Sequence, residues 1–460
     1  MNGTRAFRVA TTTARLVTGA AVAAACVVGV VVGVTAPWPT VAHEPAQTEV
    51  TPLPGDTVLV CNGDFRAIGR TPSKPLEMVA AAAARLTAAG SAGAPESTAL
   101  TVADLVNGGE VSRLTGVVEG RTAPLLGATE SVSLQAPDLF GFAAAPCRPT
   151  STESWLVGGS VETGTEDLLV LTNPGLVPAT VSLSVFGSVR ASNSVIVPAE
   201  TQIALPLTSI AAGTELPVIK VTTTGSPVRA VLQSSLTRTL DPTGVDLQDA
   251  VAAPQNYPVI PGVQMFESQG DNAEMAVLRL LSPDADTDAV VTVRPVGGSA
   301  AAEELTLPLT AGQPTEISLS SVSPGTYSVH VDSASPVLAA VREQTGSGPQ
   351  TDFAWLTPAP QLDDDVLFAV PAGPAARLVL VNDGEEDATV TLETAAGGSP
   401  TEVTVAAGSS AAVGVNERMV YALSSSAAIH AAVTMTAPGA LAAWPVWPTA
   451  GAQQSITVYP

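Results

Sequence analysis

Three histidines, His43, His330 and His430, are all the imidazole in this 460-residue chain. Imidazole is the side chain best suited to proton transfer and metal binding near neutral pH. The positions of these three argue against both roles. His43 lies in a Pro/Thr-rich stretch. His330 sits between Val329 and Val331 on an alternating strand, which predicts an outward side chain. His430, in Ile429-His430-Ala431, occupies the matching position of a later repeat and reads as a strand filler. No CxxC or HExxH spacing occurs, so no metal site is predicted. A G-x-S-x-G elbow and the phosphate loops GxxxxGK[ST] and GxGxxG are likewise absent from the sequence.

Two converging carboxylates would suffice for glycoside hydrolysis. The candidates are Asp284, Asp286 and Asp288, then Asp363-Asp364-Asp365, then Glu385, Glu386 and Asp387. All fall in turns or junctions. A solvated carboxyl keeps its ordinary pKa, whereas a catalytic acid needs burial to raise it. No catalytic residue and no cofactor are predicted. Asp284-Ala285-Asp286-Thr287-Asp288 resembles a calcium loop in composition only. Its sixth and twelfth positions are Ala289 and Pro295, so it is no EF-hand. A loose surface Ca²⁺ site among these acids stays open.

Aromatic residues make up 4% of the chain. Trp155 and Trp355 hold matching junction positions, which points to packing. Trp444 and Trp447, in Trp444-Pro445-Val446-Trp447-Pro448, are the candidates for an exposed surface that stacks on sugar. Of three cysteines, Cys26 lies in an apolar run. Cys61 and Cys147 bracket one region and read as a disulfide in an oxidising compartment. Closing so long a loop is worth roughly 4–5 kcal/mol by chain entropy.

Residues 1–15 form a basic tail with Arg5, Arg8 and Arg15. Residues 16–36 are uncharged and long enough to span a bilayer. The preceding arginines place the N-terminus in the cytoplasm. A cleaved signal peptide is the competing reading, since Thr40-Val41-Ala42 resembles a cleavage site. The length of the run favours a retained anchor. Residues 37–54 are a stiff Pro/Thr-rich spacer. Residues 55–150 form an N-terminal disulfide-closed region, in which Pro75 to Ala89 is rich in helix formers and predicts a short helix. Thr98–Val106 and Glu110–Val118 read as weak strands.

After residue 150 the chain repeats itself. Leu169-Val170-Leu171-Thr172-Asn173-Pro174-Gly175 corresponds to Val277 to Asp284 and to Leu378-Val379-Leu380-Val381-Asn382-Asp383-Gly384. Ala179 to Leu183, Ala289 to Val293 and Ala388 to Leu392 alternate with period two, one face to a core and one to water. The Asn/Gly segments supply turn geometry. About seven strands per roughly 100 residues predict three sandwich modules, at 151–255, 256–358 and 359–460. Leu240 to Pro254 and Gly346 to Asp365 read as ordered connectors. The fold class is therefore all-β: tandem immunoglobulin-like β-sandwich modules behind an N-terminal transmembrane helix.

Asp and Glu number 42 against 19 Lys and Arg, a net charge of −23. A phosphate backbone is repelled by such a surface, so nucleic acid is excluded as a partner. Ala144-Ala145-Pro146-Cys147, Trp155 to Gly159, Leu171 to Gly175, Pro261-Gly262-Val263, Leu278-Arg279-Leu280 and Asp352-Phe353-Ala354-Trp355 together resemble an uncharacterised actinobacterial family of large secreted or membrane-anchored β-rich proteins. The resemblance covers most of the chain after the spacer and implies no catalytic residues. It also implies a weak link to enzymes of envelope glycan assembly. The expected function is a non-enzymatic cell-envelope protein acting as an extracellular interaction or scaffold array. The alternative is an accessory factor that binds envelope polysaccharide or assists its assembly. The expected partners are the membrane, through residues 16–36, and an envelope protein or glycan.

Overall fold

The computed structural model describes residues 3–35, 48–50, 54–106, 108–118, 120, 122–267, 274–448 and 456–458. Most of the spacer, His43 and the Thr40-Val41-Ala42 cleavage motif lie outside them. One helix, Gly3–Thr35, carries the apolar run. Its window Ala14–Thr35 has a mean hydropathy of 2.4, which suits either a membrane span or a signal sequence. With this helix belongs a short antiparallel pair, Thr48–Val50 with Ile456–Val458. Leu53–Gln453 form a second unit, in which the regular elements among the described residues are strands apart from one helical turn at Leu207–Ile210.

In this unit a single plan occurs three times. The first copy has eight strands: Glu153–Leu156, Thr165–Asn173, Ala179–Phe186, Ala191–Val197, Thr201–Pro206, Val218–Gly225, Arg229–Arg238 and Asp241–Asp249. Strands one, six, three and four make one sheet in that order. Strands five, two, seven and eight make the other. The second copy, Val259–Met265 to Phe353–Leu356, and the third, Val366–Val370 to Ala440–Pro445, pair in the same order. Side chains of both sheets share one core in each copy, for example Val181, Leu183 and Val221 with Leu169, Leu171 and Leu232.

Eight strands replace the seven expected. The eighth strands Asp241–Asp249 and Phe353–Leu356 come from the segments read as connectors. Polar content hid the first, and most of its polar groups are buried; the second is four apolar residues set in a Pro- and Asp-rich segment. The turn chemistry holds in detail. Asn173, fully buried, donates from Nδ2 to the carbonyls of Val177, Val197 and Pro198 and accepts from the Gly175 N–H. Asn382 does the same work with Glu386, Val405 and Gly384.

The helix expected over Pro75 to Ala89 is instead two strands, Met78–Ala82 and Arg85–Gly90. Alanine's helix propensity is worth only tenths of a kcal/mol per residue. Here it is overridden by ladders to Phe65–Ile68 and to Leu126–Gln135. The N-terminal region also lends Thr101–Val102 as a fifth, parallel strand to the first copy's second sheet. Cys61 and Cys147 are bonded, with an S–S distance of 2.04 Å across 86 residues.

The two sheets of each copy differ in burial. In the 1-6-3-4 sheets the third strands alternate, as in Ala179–Phe186 and Ala388–Thr394. In the 5-2-7-8 sheets the middle strands are buried on both faces, as in Thr165–Asn173, Ala276–Leu281 and Leu338–Gln344. The inner sheets meet through their eighth strands, and the first strand of one copy covers the inner sheet of the next. Trp155, Val157 and Val251 of the first copy pack with Leu281, Leu338, Phe353 and Trp355 of the second. Leu441 and Ala443 of the third join the second core. Phe142 and Ala144 of the N-terminal region join the third.

Candidate functional site: a four-way junction and the cleft above it

Where the inner sheets meet, one carboxylate touches all four β regions. Asp352, just before the strand Phe353–Leu356, is fully buried. Its Oδ1 accepts from the N–H groups of Val245 (3.0 Å) and Phe353 (3.1 Å). Its Oδ2 accepts from those of Phe142 (2.8 Å) and Leu441 (2.9 Å). Those donors belong to the first copy, the second copy, the N-terminal region and the third copy. Burial pushes the Asp352 pKa well above the usual aspartate range, against the pull of the four N–H groups. Two donors fill each oxygen, so a proton there would displace an existing bond. The neighbouring backbone leaves no space for variation. A Cβ on Gly141, whose φ is +138°, would stand 2.5 Å from Asp352 Oδ1.

Other buried charges tie the regions together in pairs. Arg279 of the second copy donates from Nη1 to the carbonyls of Val157, Gly159 and Pro217 in the first, and binds Glu316 through Nε and Nη2. Asp246 of the first copy accepts from the Trp355 N–H of the second at 2.9 Å, and burial raises its pKa to about 8. Asp167, held by the Ser160 N–H at 2.6 Å, is raised to about 6 by burial. Arg148 and Arg229 of different regions share Asp249. These groups are spent on internal bonds.

Above the Asp352 junction lies an open cleft of about 430 Å³ between the N-terminal region and the third copy. Its volume is that of an ordinary small-ligand site. Arg85, Ser133, Gln135 and Phe140 line one side, and Glu417 and Arg418 the other. Arg85 begins the strand Arg85–Gly90, and Arg418 sits in the turn between Ser409–Val415 and Met419–Ser425. Among the described residues neither arginine has an ion pair or hydrogen-bond partner. Glu417 Oε2 accepts from the Gly373 N–H at 2.9 Å.

The sequence-derived candidates are placed as follows. Trp444 is 3% exposed and lies in the third core, so it offers no face to a sugar. It belongs to the eighth strand, whose two faces are both covered. Trp447 is half-buried, with the Arg148 guanidinium 3.3 Å over its ring. Trp155 and Trp355 do pack in one cluster.

His330 is not outward but 3% exposed. Tyr257 Oη lies 3.2 Å from its Nδ1 and Ser328 Oγ 2.9 Å from its Nε2. Burial lowers its pKa to about 4, so it is neutral at pH 7. His430 lies on an inner strand, bonded to the Ala359 carbonyl at 2.8 Å, with Asp383 at 3.5 Å. The two histidines thus hold different strands of their copies.

Among the described residues one group of three metal-capable side chains comes together, Cys61, Glu130 and Cys147, and both of its sulfurs are in the disulfide. Asp286 accepts from the Ala311 N–H at 2.7 Å in its turn. The sequence reading missed Asp352, Asp246 and the cleft arginines. The one signal was the Asp352-Phe353-Ala354-Trp355 motif, whose acid precedes a wholly apolar strand.

No match to a curated protein is found. Residues 97–416 match the model of a family of unknown function, DUF5719. That span includes Asp352 and Arg279 and stops just short of Arg418. By this match over most of its length, the chain belongs to that family of unknown function.

Proposed function

We propose that the protein is a single-pass membrane protein of the cell envelope, N-terminus in the cytoplasm, that presents a rigid, non-enzymatic interaction and scaffold platform outside the cell. The observation that carries this reading is Asp352. One carboxylate joined to four β regions makes a firm body rather than a flexible string. Its modules are read as immunoglobulin-like sandwiches on the strength of two antiparallel sheets about one core. The apolar helix supports the tether, and a buried disulfide supports an oxidising exterior. The strongly raised carboxyls at Asp246, Glu343 and Asp352 are buried and engaged with backbone N–H groups, which supports a structural use for them over a catalytic one.

Crosslinking in native envelopes, followed by identification of the products, tests the platform. Specific protein partners joined to exposed faces of residues 54–448 are expected. Recovery of lipid and free glycan alone would contradict it. The second reading, an accessory factor for envelope polysaccharide, is favoured by the polar cleft.

A further inference from the structure

We propose that the cleft over the Asp352 junction binds an acidic saccharide through one uronate ring, its carboxylate on the arginines and its hydroxyls on the polar wall. The proposal deepens the platform reading by naming the ligand class of one of its surfaces. The chain has 19 basic residues against 42 acidic ones, so its overall field repels anions. Within that field the cleft holds two arginines with no internal partner. A guanidinium fork matches a carboxylate in two parallel hydrogen bonds.

The backbone at Arg418 decides which variant can test it. Its φ is +57°, in the left-handed region where glycine or asparagine is the ordinary choice.

The remaining groups narrow the class. Arg85, Arg418 and Glu417 together give the cleft lining a net charge of +1, which suits the single carboxylate of one ring better than a phosphate monoester. Ser133 and Gln135 offer donors and acceptors for hydroxyls, and the Glu417 carboxylate accepts from one. Phe140, partly exposed, supplies an apolar edge for a sugar ring. Gly373 keeps the far wall low, because a Cβ there would lie 2.4 Å from Phe142 Cζ.

The test is calorimetric titration of the full-length protein in detergent micelles with tri-galacturonate, with the neutral trisaccharide maltotriose and with inorganic phosphate. Tri-galacturonate should bind and weaken as salt rises. The other two should bind at least about tenfold more weakly. Arg85→Gln and Arg418→Asn should each weaken tri-galacturonate about tenfold. Asparagine tolerates the left-handed backbone, so that variant keeps the turn. Arg377→Gln, outside the cleft, should bind like the unaltered protein. Equal binding of maltotriose, equal binding of phosphate, no binding of tri-galacturonate, or indifference to both cleft variants overturns the proposal. Those failures leave the platform reading standing, because that reading falls only if envelope crosslinking yields no protein partner.

Discussion

The two sheets of each repeat are built from similar strands and do opposite jobs. The third strands of the 1-6-3-4 sheets bury alternate residues and give the other face to water. The 5-2-7-8 sheets bury both faces, because each also lies against strands of a neighbouring region. On an outer strand a polar residue is solvated and nearly neutral to stability. On an inner strand the same residue type must find its partner within the protein, or its desolvation goes uncompensated. Asp246, Arg279 and Asp352 are of this second kind. The difference shows that in this protein buried polar residues join the repeats together with the apolar clusters between them.

The largest break in that contrast is Asp352→Ala. Four backbone N–H groups lose their acceptor, at about 1–3 kcal/mol for each one left unsatisfied and unrelaxed. A loss of about 3 kcal/mol or more in chemical denaturation is expected, with weaker coupling between regions. Arg279→Met comes next. Three carbonyls and Glu316 lose a donor, and a loss of about 2–3 kcal/mol is expected by the same measurement.

The pH dependence follows from the inner acids. The folded pKa of Asp246 is about 8 against an ordinary 3.8, and that of Asp167 about 6. The folded state therefore holds these protons more tightly than the unfolded chain does. Their stabilising effect is complete below pH 3.8 and is lost as pH rises through 6 and then 8. His330 works the other way. With its pKa lowered to about 4, its contribution is present above its ordinary 6.5 and is lost as pH falls toward 4. Thermal melting should therefore show stability rising as pH drops from 8.5 to 6.5. Asp246→Asn should flatten that slope. The smallest effect belongs to the outer face: Thr389→Val, at an exposed position of Ala388–Thr394, should change stability by less than about 0.5 kcal/mol.

What the sequence disclosed follows the same division. Outer strands announced themselves by period-two alternation, and the buried asparagines Asn173 and Asn382 by their place in Asn-Pro-Gly and Asn-Asp-Gly. The disulfide pair was legible because Cys61 and Cys147 were the two cysteines outside the apolar run. Inner features were not legible. Asp241–Asp249 carries Thr243, Asp246, Gln248 and Asp249 at buried positions, which pattern reading assigns to a solvated connector. His330 alternates outward from its own sheet and is covered by Tyr257, a cover set by tertiary packing. The cleft arginines Arg85 and Arg418 lie more than 300 positions apart in the numbering, and no local spacing could pair them.

The central claim is that four β regions unfold as one body because their inner sheets share buried polar bonds centred on Asp352. Differential scanning calorimetry of the full-length protein in micelles tests it most directly, alongside Asp352→Ala. One endotherm for the β unit, with calorimetric and van't Hoff enthalpies equal, and its splitting or broadening in the variant, are the predicted results. Separate endotherms in the unaltered protein, with Asp352→Ala moving one of them alone, would contradict the account.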